Sequence, residues 1–565
     1  MNSNGLSFYL KFKEKFYILQ KEIDGFLGEY VFFYQTSFVI LSLLLFSPFV
    51  VFHGFFDSYT IIKWVFILYS ANLSILMFLF KTKSLILPKL SRLSLYIIAL
   101  IVCFLLFNSY LHDVSLFSYE NTRRFLFWGI AIFFLNLFWA EKEEAFHKIE
   151  KAICITLTVF LFLSLSQYIF RPHIPPYLTF GNINLAAEFV GFLLIFPFGA
   201  LTRLWRESKK SIPLNLLSAA SISYLYLTHC RSTYIGVFII ISAAFYLYKA
   251  PFKEVLKILT TAIIITIFIK GLVPWLYPEI YPEINLLPPL KGFSSRGLLY
   301  IDTLKMIIEN PLGVGVGRYE FASLPYLANI YPQHNETMIF LSPHNEFLHY
   351  LVEDGVILSL LFLLLTCSVI YFYWNDVKRI FMNYPEFIYF SIFLFVQSLF
   401  QFPLIESLPF FLTAMMIGYF FSFLKKDCLT YNLKHISRLT LIGVNFLAFM
   451  IFTVSFLSKY ISYNFPNDQN LNKMACSFGN RDWFACLNVA STYINKGDYD
   501  KAESYALRTL TWQPLNYQGM KILGFVRLYQ GNTKKACELF KKYDSFFQNK
   551  TTLHELIAKK CPDFL

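Results

Sequence analysis

Four groups of residues in this chain have types and spacings suited to chemistry. His344 follows Pro343 and opens a helical stretch. A neutral imidazole is a general base near neutral pH, and His334 and His349 compete for that role. A lone histidine is more often structural, so position must decide. Arg231 stands in THCRSTYIG, residues 228–236, a very tight turn between apolar runs. Its guanidinium either snorkels to lipid headgroups or points into a polar cavity, where its fork matches phosphate oxygens. Asn182 and Asn184, in FGNINLAAEF, place amides at a helix entrance. Amides suit sugar hydroxyls, and asparagine equally suits an ordinary N-cap. Ser294 and Ser295 can cap a helix beginning near Arg296, which Pro311 and the glycines of GVGVG end. These glycines follow a helix rather than a strand, so a dinucleotide-binding loop is rejected and a turn is expected.

The elements that must carry these residues lie in a membrane. Of 565 residues, 56% are hydrophobic and 15% charged, and mean hydropathy is +0.51. Globular domains carry about 25% charge, so water is not the main solvent. The net charge of +13 needs no nucleic acid, because the basic residues sit in short connections between apolar runs. Thirteen runs near 20 residues centre on 32–52, 61–80, 93–110, 124–140, 152–170, 185–204, 212–228, 232–248, 256–274, 351–373, 386–403, 407–424 and 439–457. Each is long enough for a helical span, and none alternates as a barrel strand would. The expected fold is therefore all-α, a polytopic membrane protein with about 12–13 transmembrane helices. No cleavable signal peptide is evident, and the first apolar stretch would serve as an uncleaved anchor.

Lys and Arg set the orientation. Clusters such as Lys81, Lys83, Lys89 and Arg92, or Arg203, Arg206, Lys209 and Lys210, fall on alternate sides of the runs. The positive-inside rule puts these, and residues 1–28, in the cytoplasm. The membrane domain covers 29–457. A long loop, about 275–350, and a tail, 458–565, then lie outside. Loops of that length are usually functional. In the tail Gly497 and Gly531 are 34 residues apart, as are Ala502 and Ala536, the tetratricopeptide period. Two repeats are few for independent stability, so the tail is expected to pack on the membrane domain or its loop. It serves either as a structural cap or as a platform for an acceptor or partner. Four of the nine cysteines lie here, and Cys476 with Cys486 would close a short disulfide loop. No cysteine or histidine pattern suggests zinc.

Together the four motifs resemble the O-antigen ligase and polymerase superfamily, bacterial membrane glycosyltransferases that use polyprenyl-linked glycans. The resemblance spans roughly 175–425. The family's Asn-rich helix entrance matches Asn182 and Asn184, its tight-turn arginine Arg231, and its loop-helix arginine Arg296. Its His-Asn pair, followed by a Glu and a Gly before a span, matches His344, Asn345, Glu353 and Gly355. Ile183 replaces the usual Pro, Cys230 the usual Ser, and Tyr300 the common Trp. The resemblance implies metal-independent, cofactor-free, inverting transfer of a glycan from undecaprenyl pyrophosphate to a hydroxyl acceptor at the periplasmic face of the inner membrane. His344 would be the base. Arg231 and Arg296 would bind the pyrophosphate, with Arg123, Arg124 and Arg318 in reserve. Asn182, Asn184 and Asn345 would bind substrate. The acceptor would be lipid A core, a second lipid-linked glycan, or a protein. The rival reading is a transporter or flippase of lipid-linked sugars. Transporters usually place charges and helix breaks near the bilayer midplane, whereas here the polar motifs gather at one face.

Overall fold

The computed structural model describes residues 61–561 apart from 82–83, 113–118, 141, 172–175, 177, 181, 277–292, 328–339, 341, 405, 425–427, 433–434, 479–481 and 548–558. Twelve of the thirteen apolar runs coincide with helices; the first, 32–52, lies outside the described residues. Among the described residues the β-structure is one two-stranded antiparallel ribbon, Ser84–Pro88 with Cys428–Asn432. The fold is the expected all-α membrane architecture.

Among the described residues seven helices are long and apolar enough to cross a membrane, or eight with the pair Trp374–Asn383 and Pro385–Phe400, which is bent by 102°. The stretches Leu126–Trp139, Ile212–Thr228 and Ser407–Ser422 are apolar but shorter. Ser407–Ser422 has 16 residues and so reaches only ~24 Å, against a hydrocarbon core of ~30 Å. The expected span at 351–373 is really two helices. Glu346–Glu353 is set apart from Gly355–Phe372, which alone is the span. The break falls at Gly355, whose φ is +86°. A methyl there would overlap the backbone of Leu312 and Gly313. Gly355→Ala is therefore expected to cost about 3 kcal/mol or more, from the left-handed strain plus backbone displacement. A drop of several degrees in the melting temperature of detergent-solubilised protein is the measurement that checks it.

The helix Ile183–Arg206 is the axis of the bundle, with 94% of its membrane window buried in protein. Lipid tails are as apolar as leucine, so its packing must come from close contact rather than from leaving water. The ring of Phe393, on Pro385–Phe400, wedges between Gly191 of the axial helix and Gly236 of Arg231–Tyr248; a methyl at either glycine would overlap it. This wedge locks three helices into one register. At the far end Arg203 pairs with Glu150 at 2.7 Å and with the fully buried Glu386. Removing one member would strand a buried charge.

The tail is a stack of helices after the long helix His435–Asn464: Gln469–Phe478, Trp483–Asn495, Tyr499–Trp512, Tyr517–Tyr529 and Thr533–Asp544. Gly497 and Gly531 turn two successive hairpins with φ of +73° and +80°, and Ala502 and Ala536 are fully buried one step later. Disulfides join Cys476 to Cys486 and Cys537 to Cys561. As expected of so short a stack, it is not free-standing. Phe321 and Leu324 of the long loop enter its core beside Tyr517, Met520 and Phe540, and Phe321 meets Trp483 edge-on at 5.1 Å. Tail and loop therefore share one side of the molecule.

Candidate functional site

The site is organised by the end of one helix. Pro385–Phe400 stops where Gln401 turns extended, two residues before Pro403, and a proline bars the helix from continuing. The last carbonyls of a helix need partners from elsewhere. Here three residues from the long loop supply them. Asn345 donates through Nδ2 to the Leu399 carbonyl at 3.0 Å. The Tyr300 hydroxyl lies 3.1 Å from the carbonyls of both Leu399 and His344. Arg296 donates through Nη1 to the Phe400 carbonyl at 3.1 Å. A cation at a helix C-terminus also meets the negative end of the helix dipole.

His344 is thereby held within this group. Its φ of +52° is left-handed, a region in which histidine is enriched among non-glycine residues. The Asn345 side chain caps the next helix by accepting from the Leu348 N–H at 2.9 Å. Both ends of that amide are thus spent on holding His344 in place. The imidazole packs 5.4 Å from the Phe402 ring, and its Nδ1 is buried without a hydrogen bond among the described residues. Burial and the nearby positive charge of Arg296 push the His344 pKa down to about 4, against a hydrogen bond that the ring donates to Gln401, which raises it. At neutral pH the ring is neutral and able to accept a proton.

Arg231 opens the helix Arg231–Tyr248 behind a turn in which His229 has φ +54°. Its neighbour Ser232 donates to Gln397 Oε1 at 3.0 Å, one turn before the carbonyls that hold Arg296 and Asn345. The tight turn therefore lands at the same end of the same helix. Asn182 is the N-cap of the axial helix, accepting from the Asn184 N–H at 2.8 Å, and it is exposed. Ser294 and Ser295 lie inside a helix that begins at Phe293, so they do not precede it as caps. His334 lies outside the described residues.

The sequence points to His349 and Glu353 singly, and the structure groups them into a second polar layer. Glu346, His349, Glu353 and Asp354 are all buried and, with Tyr350, follow helical spacing along one face. His349 Nε2 sits 3.4 Å from Glu353 Oε2. Glu353 also accepts from the Tyr319 N–H at 3.2 Å. Arg124 pairs with Asp354 at 2.7 Å and lies over the Tyr350 ring. Burial holds the Glu346 carboxyl above its usual range, with His349 and Arg123 opposing. The spacing 346, 349, 350, 353 was visible in the sequence. Assigning part of it to a span concealed it. Tyr319 touches this layer while Phe321, two residues on, is buried in the tail, so one short segment links tail and site. Among the described residues no group of three or more His, Cys, Asp or Glu is placed to hold a metal ion.

Residues 216–363 match the family model described as O-antigen ligase. The matched stretch contains Arg231, Arg296, His344, Asn345 and the second polar layer, but neither Asn182 and Asn184 nor the carbonyls at 399–400. No curated protein matches the chain. The family match supports a membrane enzyme of glycosyltransferase type acting in glycan transfer.

Proposed function

We propose that this protein transfers a glycan from undecaprenyl pyrophosphate to a hydroxyl acceptor at the periplasmic face of the bacterial inner membrane, in cell-surface polysaccharide or glycoconjugate synthesis. The observation that carries the reading is the convergence of His344, Asn345 and Arg296 on the closing turn of one helix, with the turn that carries Arg231 alongside through Ser232, all four residues within a stretch similar to O-antigen ligases. In the proposed reaction the acceptor hydroxyl attacks the anomeric carbon from the face opposite the pyrophosphate, inverting it. His344 takes the hydroxyl proton. Arg231 and Arg296 stabilise the charge that grows on the leaving pyrophosphate. Asn345 keeps His344 in place, and Asn182 and Asn184 contact the glycan at the mouth of the axial helix. The donor is already activated, so much of the remaining catalysis is positioning.

Two disulfides in the tail support placing it, and the loop packed on it, in an oxidising compartment. The basic connections at the other ends of the spans then face the cytoplasm. The helical hairpins at a 34-residue period make the tail tetratricopeptide-like, a platform for the acceptor. Deletion of the gene in its native host tests the reading. Loss of all long lipopolysaccharide chains with accumulation of full-length lipid-linked glycan identifies a ligase. Retention of single attached repeat units identifies a polymerase, and loss of a periplasmic glycoprotein alone identifies a protein transferase. No change in any of them overturns glycan transfer and favours transport.

A further inference from the structure

Glu188 has no place in the proposed reaction and no evident structural role. It lies on the axial helix six residues after its N-cap, about 9 Å along the axis, and is 1% exposed. Neither carboxyl oxygen has a hydrogen-bond partner among the described residues. Two further carboxylates, Glu406 and Glu346, act on it. A buried carboxyl left in this way costs several kcal/mol if ionised, and still forfeits its hydrogen bonds if neutral. Natural sequences keep such a burden mainly where function uses it.

Glu188 lines a cavity together with Phe180, Phe189, Leu408, Glu406 and the buried Lys63. The cavity has room for about one water-sized group, enough for a single substituent and not for a whole pyranose ring. Glu406 stands at the N-cap of Ser407–Ser422, where its side chain makes no capping bond. Glu406 also ends the break that begins at Gln401, the partner of His344. Glu346, the third carboxylate, is two residues from His344. The cavity is therefore next door to the proposed reaction centre. It sets the Glu188 carboxyl among aromatic and aliphatic side chains, which suits a substituent carried on the apolar face of a sugar.

We infer that Glu188 is the floor of a specificity pocket that accepts one hydrogen-bond-donating substituent, a hydroxyl or an ammonium, of a sugar in the glycan substrate. This rests on the glycan-transfer reading and adds to it the residue that selects the sugar.

The test uses full-length protein in lipid nanodiscs, lipid-linked glycan extracted from the native host, and the same glycan freed by mild acid. Glu188→Leu is expected to raise KM for the glycan at least tenfold while kcat stays within about threefold. It should also raise the melting temperature, because the unsatisfied group is gone. Glu188→Gln, which keeps an acceptor and the shape, should fall between. The freed glycan should stabilise the wild type thermally and not Glu188→Leu. Acetylating the amines of that glycan separates the two chemistries: lost binding identifies an ammonium, retained binding a hydroxyl. Wild-type KM in both variants, with an unchanged or lower melting temperature, makes Glu188 structural and overturns the pocket while leaving glycan transfer intact. A wild type that neither transfers nor binds the glycan overturns both.

Discussion

His344→Ala is expected to lower glycan transfer by about 10²–10⁴-fold, the usual contribution of a positioned general base, while the protein still folds and inserts. Little of the fold depends on the ring. It touches Phe402 and Gln401, whereas the neighbouring cap and carbonyl bonds belong to Asn345. The left-handed backbone at 344 is a separate matter, since alanine is strained there. His344→Asn is the cleaner variant, because asparagine tolerates that region and is not a base. Both variants should retain wild-type expression and thermal stability, with asparagine the closer. Turnover of lipid-linked glycan in membranes is the readout. Near-normal transfer by both would remove the base assignment. His349 is a poor substitute, since its Nε2 already faces Glu353 and its ring packs beside Tyr319.

The contact between tail and loop gives this site a reach beyond its own residues. Phe321 and Leu324 are buried in the tail core, Tyr319 binds Glu353, and Glu353 faces His349 on the helix that Asn345 caps. Every link is a packed or hydrogen-bonded contact between rigid pieces. An acceptor bound by the tail would thus be held a few residues from the base.

What could be foreseen from the sequence follows from the range of the interactions involved. The apolar runs are local signals, and each described one became a helix. The turn glycines of GVGVG are local too; Gly313, Gly315 and Gly317 all take positive φ. Asn182 and Asn345 sit at helix N-caps, as their residue type allows. The organising contacts are not local. Arg296 and Asn345 reach carbonyls 104 and 54 residues away, and any backbone carbonyl looks like any other in a sequence. Gln401 carries no motif and matters only because the chain leaves its helix there. Glu188 looked like one polar residue in an apolar run; only the packing reveals that none of the described residues hydrogen-bonds its carboxyl. Pairing Cys476 with Cys486 was suggested by closeness in sequence. Cys537–Cys561 spans 24 residues, and spacing does not pick it out.

Arg296→Gln is expected to have the second-largest effect, and pH separates its two roles. Loss of a donor that stabilises developing negative charge typically costs about 10²–10³ in kcat, and the leaving pyrophosphate is the charge at issue here. Arg296 also acts on the base. The neutral imidazole is the active form, so kcat/KM of the free enzyme should fall as pH drops through the His344 pKa, which lies at about 4 in the wild type. The positive charge of Arg296 is one of the two causes holding it there. Removing that charge leaves burial alone opposed by the Gln401 hydrogen bond, so the pKa rises toward the ordinary histidine value of about 6.5. The acid limb should therefore move to higher pH in Arg296→Gln, even as the plateau drops. Arg296→Lys keeps the charge but loses the planar fork, so its limb should stay near 4 while its plateau remains depressed. An arginine that only capped the helix end at Phe400 would behave differently. Its loss would lower the melting temperature and, because its charge acts on His344 in either case, still move the limb, but the plateau would stay at the wild-type level, and that result in a pH profile of both variants would remove Arg296 from the chemistry.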